Sequence, residues 1–441
     1  MARRGILASG WWGSNGDILG KLYLNICIDT EGPLVETLGA TFKRIKDLFG
    51  LSLEPTQENL TKIQNFGFKE LDPALQVKLA DVFSEIRLNY ARNWTEIKRR
   101  MDKACAPEFR KKFPDSENNG LLYNFYVTDF TGFKSNPRQK CTAPHGIFDF
   151  FQEHYWSSIA AEDGRYWHYH HVPQSGACHE WGRCLSTSGE YDKIMARNLL
   201  ERNFFPSVFR AGSHIEREDL SFWLECWFPF DFSNHSIVGK PMGVWEDWSR
   251  APQDWKPYHP DFYDVQIPGH MRRHIFRCLD IDTREYKLDE TEVEKAFQEA
   301  HYQTTILSLY THDYRDVAGE VEYAMGLIEK MRKKYGQVQL MHGRSLCAAR
   351  AVLGIKPQSP KFSLQYVKPC LKVQCETPVW GPQPFLAFKS FDGEVFHDNF
   401  LRTGAVGEYR YIFNKPDEIE VIGVGVTDPS GETAIRLCLP S

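Results

Sequence analysis

Two carboxylates close the most chemically suggestive string in this chain, Ile26-Cys27-Ile28-Asp29-Thr30-Glu31-Gly32-Pro33. An apolar run over 22–28 has strand length and stops at two acids and a Gly-Pro pair. Residues two apart leave the same face of an extended chain, so Asp29 and Glu31 project together. Unpaired carboxylates are costly to bury. The place that wants them is the catalytic mouth of an α/β barrel, where strand ends present ligands and bases. One of the pair could hold a metal while the other moves a proton. The bland alternative is a solvated turn after a strand.

Three more polar strings fall at expected strand ends. Tyr166-Trp167-His168-Tyr169-His170-His171 puts His168 and His170 on one strand face, with His171 on the other unless the chain turns there. Two neutral imidazoles plus a carboxylate suit zinc, whereas a single core histidine is more often just hydrogen-bonded. In Val208-Phe209-Arg210-Ala211-Gly212, the arginine could orient an aspartate or hold an acidic substrate; taken alone, a rim salt bridge is the better reading. In Leu309-Tyr310-Thr311-His312-Asp313, His312 ends a late strand and could give a proton to a leaving amine.

The elements that must position these residues are readable from periodicity. Strands are expected at 22–29, 121–128, 165–171, 207–210, 304–310 and 338–341. Helices are expected at 36–49, 148–156, 192–203, 218–226, 288–300, 320–335 and 343–353, with two or three more in a helical insert at 56–112. Such alternation calls for a parallel sheet or barrel. After Lys356 the text changes: Pro357 and Pro360 mark a linker, and short strand-like runs follow at 385–388, 407–413, 419–426 and 433–439 with Asp-Gly and Pro-Ser-Gly turns. The expected architecture is an irregular (β/α)7-type barrel over 1–356 with a small all-β, sandwich-like domain over 357–441.

Composition narrows the class. The 441 residues are 42% hydrophobic and 25% charged, ordinary for a globular chain. No apolar stretch of roughly 18 residues announces a membrane span, and the N-terminal apolar run is too short for a secretory signal. A net charge of -5 without a basic patch argues against nucleic acid. Eleven scattered cysteines read as free thiols in a reducing, cytoplasmic setting. Cys178 and Cys184 flank His179, but that spacing fits no usual zinc finger. Aromatics reach 14%, with Trp245, Trp248, Trp255 and Tyr258 in loop-like text. Flat rings stack on sugar faces, although packing of long loops onto a core accounts for them equally.

Together the four strings resemble the polysaccharide deacetylase superfamily, also called the NodB-homology or carbohydrate esterase family 4 fold. The resemblance spans about residues 20–345. It rests on Asp29/Glu31, His168/His170, Arg210-Ala211-Gly212, the 230–233 region and Leu309-Tyr310-Thr311-His312. It implies a divalent ion, most plausibly Zn2+, held by Glu31, His168 and His170. It further implies Asp29 as proton acceptor, Arg210 as its partner, His312 as proton donor, and Trp167, Trp245 and Trp248 as sugar-binding rings. The implied activity is amide hydrolysis on a carbohydrate, such as N-deacetylation in surface-polysaccharide or O-antigen assembly. Deamidation or amide transfer on a uronamide sugar, or glycan binding on an inactive barrel, are the other readings. This chain departs from the family pattern in three places: Thr30 separates the acids, Val172 and Gln174 stand where the second histidine of His-x-x-x-His would fall, and the helical insert at 56–112 is long. His171 is the substitute ligand for either histidine. Oligomeric state is not legible. No Gly-x-Ser-x-Gly elbow, P-loop or dinucleotide fingerprint occurs.

Overall fold

A computed structural model describes residues 20–131, 144–156, 162–171, 189–237, 248–283 and 286–440. Eight parallel strands form its central sheet: β1 (Lys21–Thr30), β2 (Tyr123–Thr131), β3 (Gly164–His171), β4 (Val208–Ala211), β5 (Phe230–Asn234), β6 (His274–Asp280), β7 (Thr305–His312) and β8 (Gln339–His342). They run in the order β2-β3-β4-β5-β6-β7-β1-β8, and a further β1–β2 pairing closes β1 to β7 into a seven-stranded barrel. One edge of β1 carries β7. Its other edge is divided: Lys21–Leu24 pair with β8 and Ile26–Thr30 with β2. This is the barrel expected from strand–helix alternation, and a seven-stranded parallel barrel fits the NodB-homology resemblance.

Alternation along each strand sorts side chains between two environments. Leu22, Leu24, Ile26 and Ile28 of β1 face outward into an apolar layer with Val293, Phe297, Val321 and Ile328 of the helices Glu290–Ala300 and Val317–Lys334. Trp167 and Tyr169 of β3 face a second outer layer with Leu199, Leu224 and Phe228. The intervening residues fill the barrel. At its floor Asn25 Nδ2 donates to Ser308 Oγ at 3.2 Å and Ser345 Oγ at 2.9 Å, and Asn124 Nδ2 donates to Asn25 Oδ1 at 2.7 Å. Above it lies a layer of Cys27, Tyr126, Cys278 and Tyr310. Asp29, His168, Arg210, Asp280 and His312 come next, at the C-terminal rim.

The helical insert comprises Gln57–Gln64, Pro73–Val82, Trp94–Cys105 and Pro107–Lys111. Beyond residue 360 the chain is β: Phe362–Val367, Cys370–Cys375, Leu401–Arg402 and Glu408–Ile412 form one antiparallel sheet. Phe385–Ser390, Val395–Asp398, Ile419–Thr427 and Thr433–Cys438 form another. Leu371, Val373, Leu386, Phe388, Ile422 and Val424 pack between them. This region is seated on the barrel through Phe385 against Phe205 (centroids 5.4 Å apart) and through Arg350, whose Nη1 reaches Glu432 at 2.7 Å.

Strand β6 was not expected from the sequence. Its text, His274-Ile275-Phe276-Arg277-Cys278-Leu279-Asp280, is broken by an arginine that turns out to be fully buried. Arg277 makes a bidentate pair with Glu292 (2.6 and 3.0 Å) and its guanidinium lies 4.8 Å from the Trp255 ring centroid. A fork-shaped cation paired at both tines and laid on an indole is one of the few charges a barrel wall can take up.

Asp129 on β2 ties three elements together. Its Oδ2 accepts from Trp167 Nε1 at 2.8 Å and from Asn198 Nδ2, on the helix Glu190–Arg202, at 2.7 Å. Burial pushes its carboxyl up from 3.8 to about 6, against the pull of those donors. A folded value above the unfolded one means that folding favours the protonated acid, so stability is full below about pH 4 and declines as pH rises through about 6. The shift from 3.8 to about 6 corresponds to about 3 kcal/mol. Asp129→Asn, whose amide oxygen can accept both donors, is therefore expected to be about 2–3 kcal/mol more stable than the native chain at pH 8, with the difference vanishing near pH 4. Urea unfolding at the two pH values measures this, and equal curves at pH 8 would exclude it.

Candidate metal centre and active site

Register alone assembles the rim. Asp29 of β1 lies opposite His312 of β7, and His168 of β3 lies opposite Arg210 of β4. The chain turns after β1 at Gly32, whose φ of +72° is a left-handed conformation that suits glycine. Asp313 staples that turn: its carboxylate accepts the backbone N–H of Glu31 at 3.1 Å and of Gly32 at 2.8 Å, and its own N–H donates to Asp29 O at 3.1 Å. Glu31 is thereby aimed back over the barrel mouth, beside Asp29.

Asp29 and Arg210 form a fully buried ion pair through Oδ2 and Nη1. The guanidinium also lies 3.5 Å from the Tyr310 ring centroid. Burial raises the Asp29 carboxyl well above the usual range, and the arginine only partly opposes it. For Glu31, burial acts upward as well, but His170 and His168 beside it prevail and hold it well below the usual range.

The two histidines of β3 converge on Glu31. His170 Nε2 is 2.9 Å from Glu31 Oε1, and His168 Nε2 is 3.8 Å from that oxygen and 3.6 Å from Asp29 Oδ2. One donor atom from each of Glu31, His168 and His170 lies within 4.8 Å of the others. His168 Nδ1 donates to the backbone carbonyl of Arg210 at 2.9 Å, so the lone pair sits on Nε2. That Nε2 is buried without a hydrogen-bond partner. Burial pushes the imidazole down to about 3, leaving it neutral. A neutral, back-bonded imidazole with an orphaned ring nitrogen beside a carboxylate and a second imidazole is what a divalent ion requires, and the donor set N, N, O fits zinc.

His312 completes the cluster, with Nε2 3.9 Å from Asp29 Oδ2 and 3.8 Å from Glu31 Oε1. Its ring stacks on Tyr314, centroids 4.9 Å apart. Burial lowers it to about 4, more than Glu31 and Asp280 raise it. Asp29, Glu31, His168, His170, Arg210 and His312, six residues singled out in the sequence, thus line one open cavity.

Trp167 and Trp248 fall elsewhere. Trp167 is fully buried behind the sheet, against Phe209, Trp223 and Phe228, because it alternates with His168. Trp248 is also buried, and its Nε1 donates to His214 O at 2.7 Å. Trp245, and the Cys178, His179 and Cys184 group, lie outside the described residues, as does the side chain of His171. The 230–233 string is buried strand β5.

Sequence reasoning missed His214, Asp280, Tyr310 and Asp313 as parts of this cavity or its support. The signal for Asp280 was a strand ending in an acid, hidden with β6 itself. His214 follows the Arg-Ala-Gly string and enters the cavity because Ser213 and His214 adopt left-handed backbone (φ 53° and 58°). That turn passes directly over His170: a Cβ on Gly212 would lie 2.4 Å from His170 Cγ.

No family model and no curated protein matches this chain. Among solved structures, it aligns with a double mutant of the Cellulomonas fimi endo-beta-1,4-mannanase at 11% identity and a TM-score of 0.28, over 72% of this chain and 86% of that one. It aligns also with a modular endo-beta-1,4-mannanase from the same organism at 11% identity and a TM-score of 0.27, over 73% and 86%. Likeness at that level carries no argument about function.

Gly212→Ala is expected to displace the His170 ring and weaken Zn2+ binding by about 10–100-fold, as for loss of a ligand's supporting contact. Competition against a chromophoric chelator gives the constant; unchanged affinity would mean that His170 is not a ligand.

Proposed function

We propose that this chain is a divalent-metal-dependent amide hydrolase acting on a carbohydrate, with N-deacetylation of an acetamido sugar as its reaction. The observation that carries the reading is the orphaned His168 Nε2, buried beside Glu31 and His170 and 3.6 Å from a second carboxylate that is itself locked to an arginine. Structural ion pairs do not need a bare imidazole lone pair; a metal centre does. Glu31, His168 and His170 would hold the ion, which supplies Lewis acidity toward an amide carbonyl and toward water.

Asp29 is the proton acceptor. Its Oδ1 has no hydrogen-bond partner, and a carboxyl raised by burial is a stronger base than one in solvent. Arg210 holds the other oxygen, fixing the carboxylate while the reaction proceeds. Water adds its oxygen to the carbonyl carbon and gives a proton to Asp29. His312, neutral at rest, then has to be charged before it can act as an acid. The proton accepted at Asp29 Oδ1 is the source of that charge, since His312 Nε2 lies beside the same carboxyl, 3.9 Å from its Oδ2. From His312 the proton passes to the nitrogen as the C–N bond breaks, so acetate and a free amine leave together. Tyr90 and Tyr314 line the same cavity and supply aromatic faces for a sugar ring in place of Trp167 and Trp248.

Asp29→Asn is expected to lower acetate release from N-acetylhexosamine oligosaccharides and nucleotide-linked acetamido sugars by about 10²–10⁴-fold. The bound metal should remain. Turnover is read by enzymatic acetate detection and metal by elemental analysis. A variant that keeps its rate removes Asp29 from this role, and release of ammonia without acetate would move the chemistry to a primary amide.

A further inference from the structure

We propose that His214, His235 and Asp280 form a second site for a divalent transition-metal ion, on the same rim as the Glu31–His168–His170 group and independent of it. The three residues come from successive strand ends. His214 lies in the turn after β4, His235 directly follows β5, and Asp280 ends β6. Their donor atoms lie within 4.8 Å of one another. His235 Nε2 is 3.1 Å and His214 Nε2 3.9 Å from the same oxygen, Asp280 Oδ2. Tyr310 OH, 2.9 Å from His214 Nε2, is a further oxygen donor at the same point.

Two features separate this cluster from an ordinary buried hydrogen-bond network. Asp280 is 1% exposed, yet its Oδ1 has no hydrogen-bond partner. Among the described residues, only the two imidazoles lie within ion-pairing distance of it; no lysine or arginine does. Arg210 acts on it only through space and is committed to Asp29, so a charge in contact with Asp280 can come only from a protonated imidazole or a bound cation. The imidazoles are stacked face to face, centroids 4.0 Å apart and 24° from parallel. Protonating both would set like charges in contact. Two neutral nitrogens and one carboxylate oxygen converging in this way match the donors of zinc and related ions. Their neighbour Tyr310 packs against Arg210, the partner of Asp29, so an ion here would sit one residue away from the reacting groups.

The test uses the full chain, stripped with chelator and re-equilibrated with Zn2+ or Co2+ alone. Elemental analysis is expected to find two equivalents in the native chain and one in His235→Ala. Glu31→Gln combined with His170→Ala should also retain one, the other ion. An anomalous difference map of the Zn2+-loaded native protein is expected to show a peak between His214, His235 and Asp280, and it decides the matter even if His235→Ala does not fold. No peak there at saturating Zn2+, or full stoichiometry in His235→Ala, overturns the proposal. A peak there without one at Glu31 would uphold this site while removing the metal from the proposed deacetylation.

Discussion

The buried pairing of Asp29 with Arg210 is the constraint around which the barrel mouth is organised. Neither charge reaches water, so each must be met inside the protein. The arginine does this by three means: its Nη1 takes Asp29, its plane lies on Tyr310, and its own carbonyl holds His168 in the tautomer that frees Nε2. One strand end, β4, therefore sets the geometry of the residues supplied by β1 and β3. Opposite it, Asp313 performs the complementary task, gripping the turn after β1 through two backbone N–H groups. The two rim carboxylates are thus held from both sides, as the proposed reaction would require.

Much of this was legible because barrel strands announce themselves through alternation and a polar terminus. Asp29, Glu31, His168, His170, Arg210 and His312 all stand at the end of an apolar run, and the register of parallel strands brings such ends to one level. The illegible parts share a different cause. Strand β6 carries a buried arginine whose compensation comes from Glu292 and Trp255, distant in sequence, so its polarity reads locally as loop. Trp167 looked like a sugar platform, yet the same period of two that places His168 inside the barrel sends its neighbour outward. His214 enters the cavity through left-handed backbone at two non-glycine residues, a conformation that residue types do not announce.

The barrel interior is graded. Amides and hydroxyls of Asn25, Asn124, Ser308 and Ser345 close the floor, thiols and phenols occupy the middle, and charged groups crowd the rim. Burial is the leading cause that raises Asp29 and lowers His168 and His312, whereas Glu31, flanked by His170 and His168, is held low.

The divided edge of β1 has a consequence for how the protein comes into being. β1 covers residues 21–30, yet its partners β7 and β8 span residues 305–342. Until those arrive, an apolar strand bearing two acids has one flank bare, and the Asp313 clasp does not exist. The ring is thus sealed at its earliest segment by its latest ones, a long-range closure of the kind that folds slowly. A chain lacking β7 would have neither His312 nor the Asp313 clasp beside Asp29.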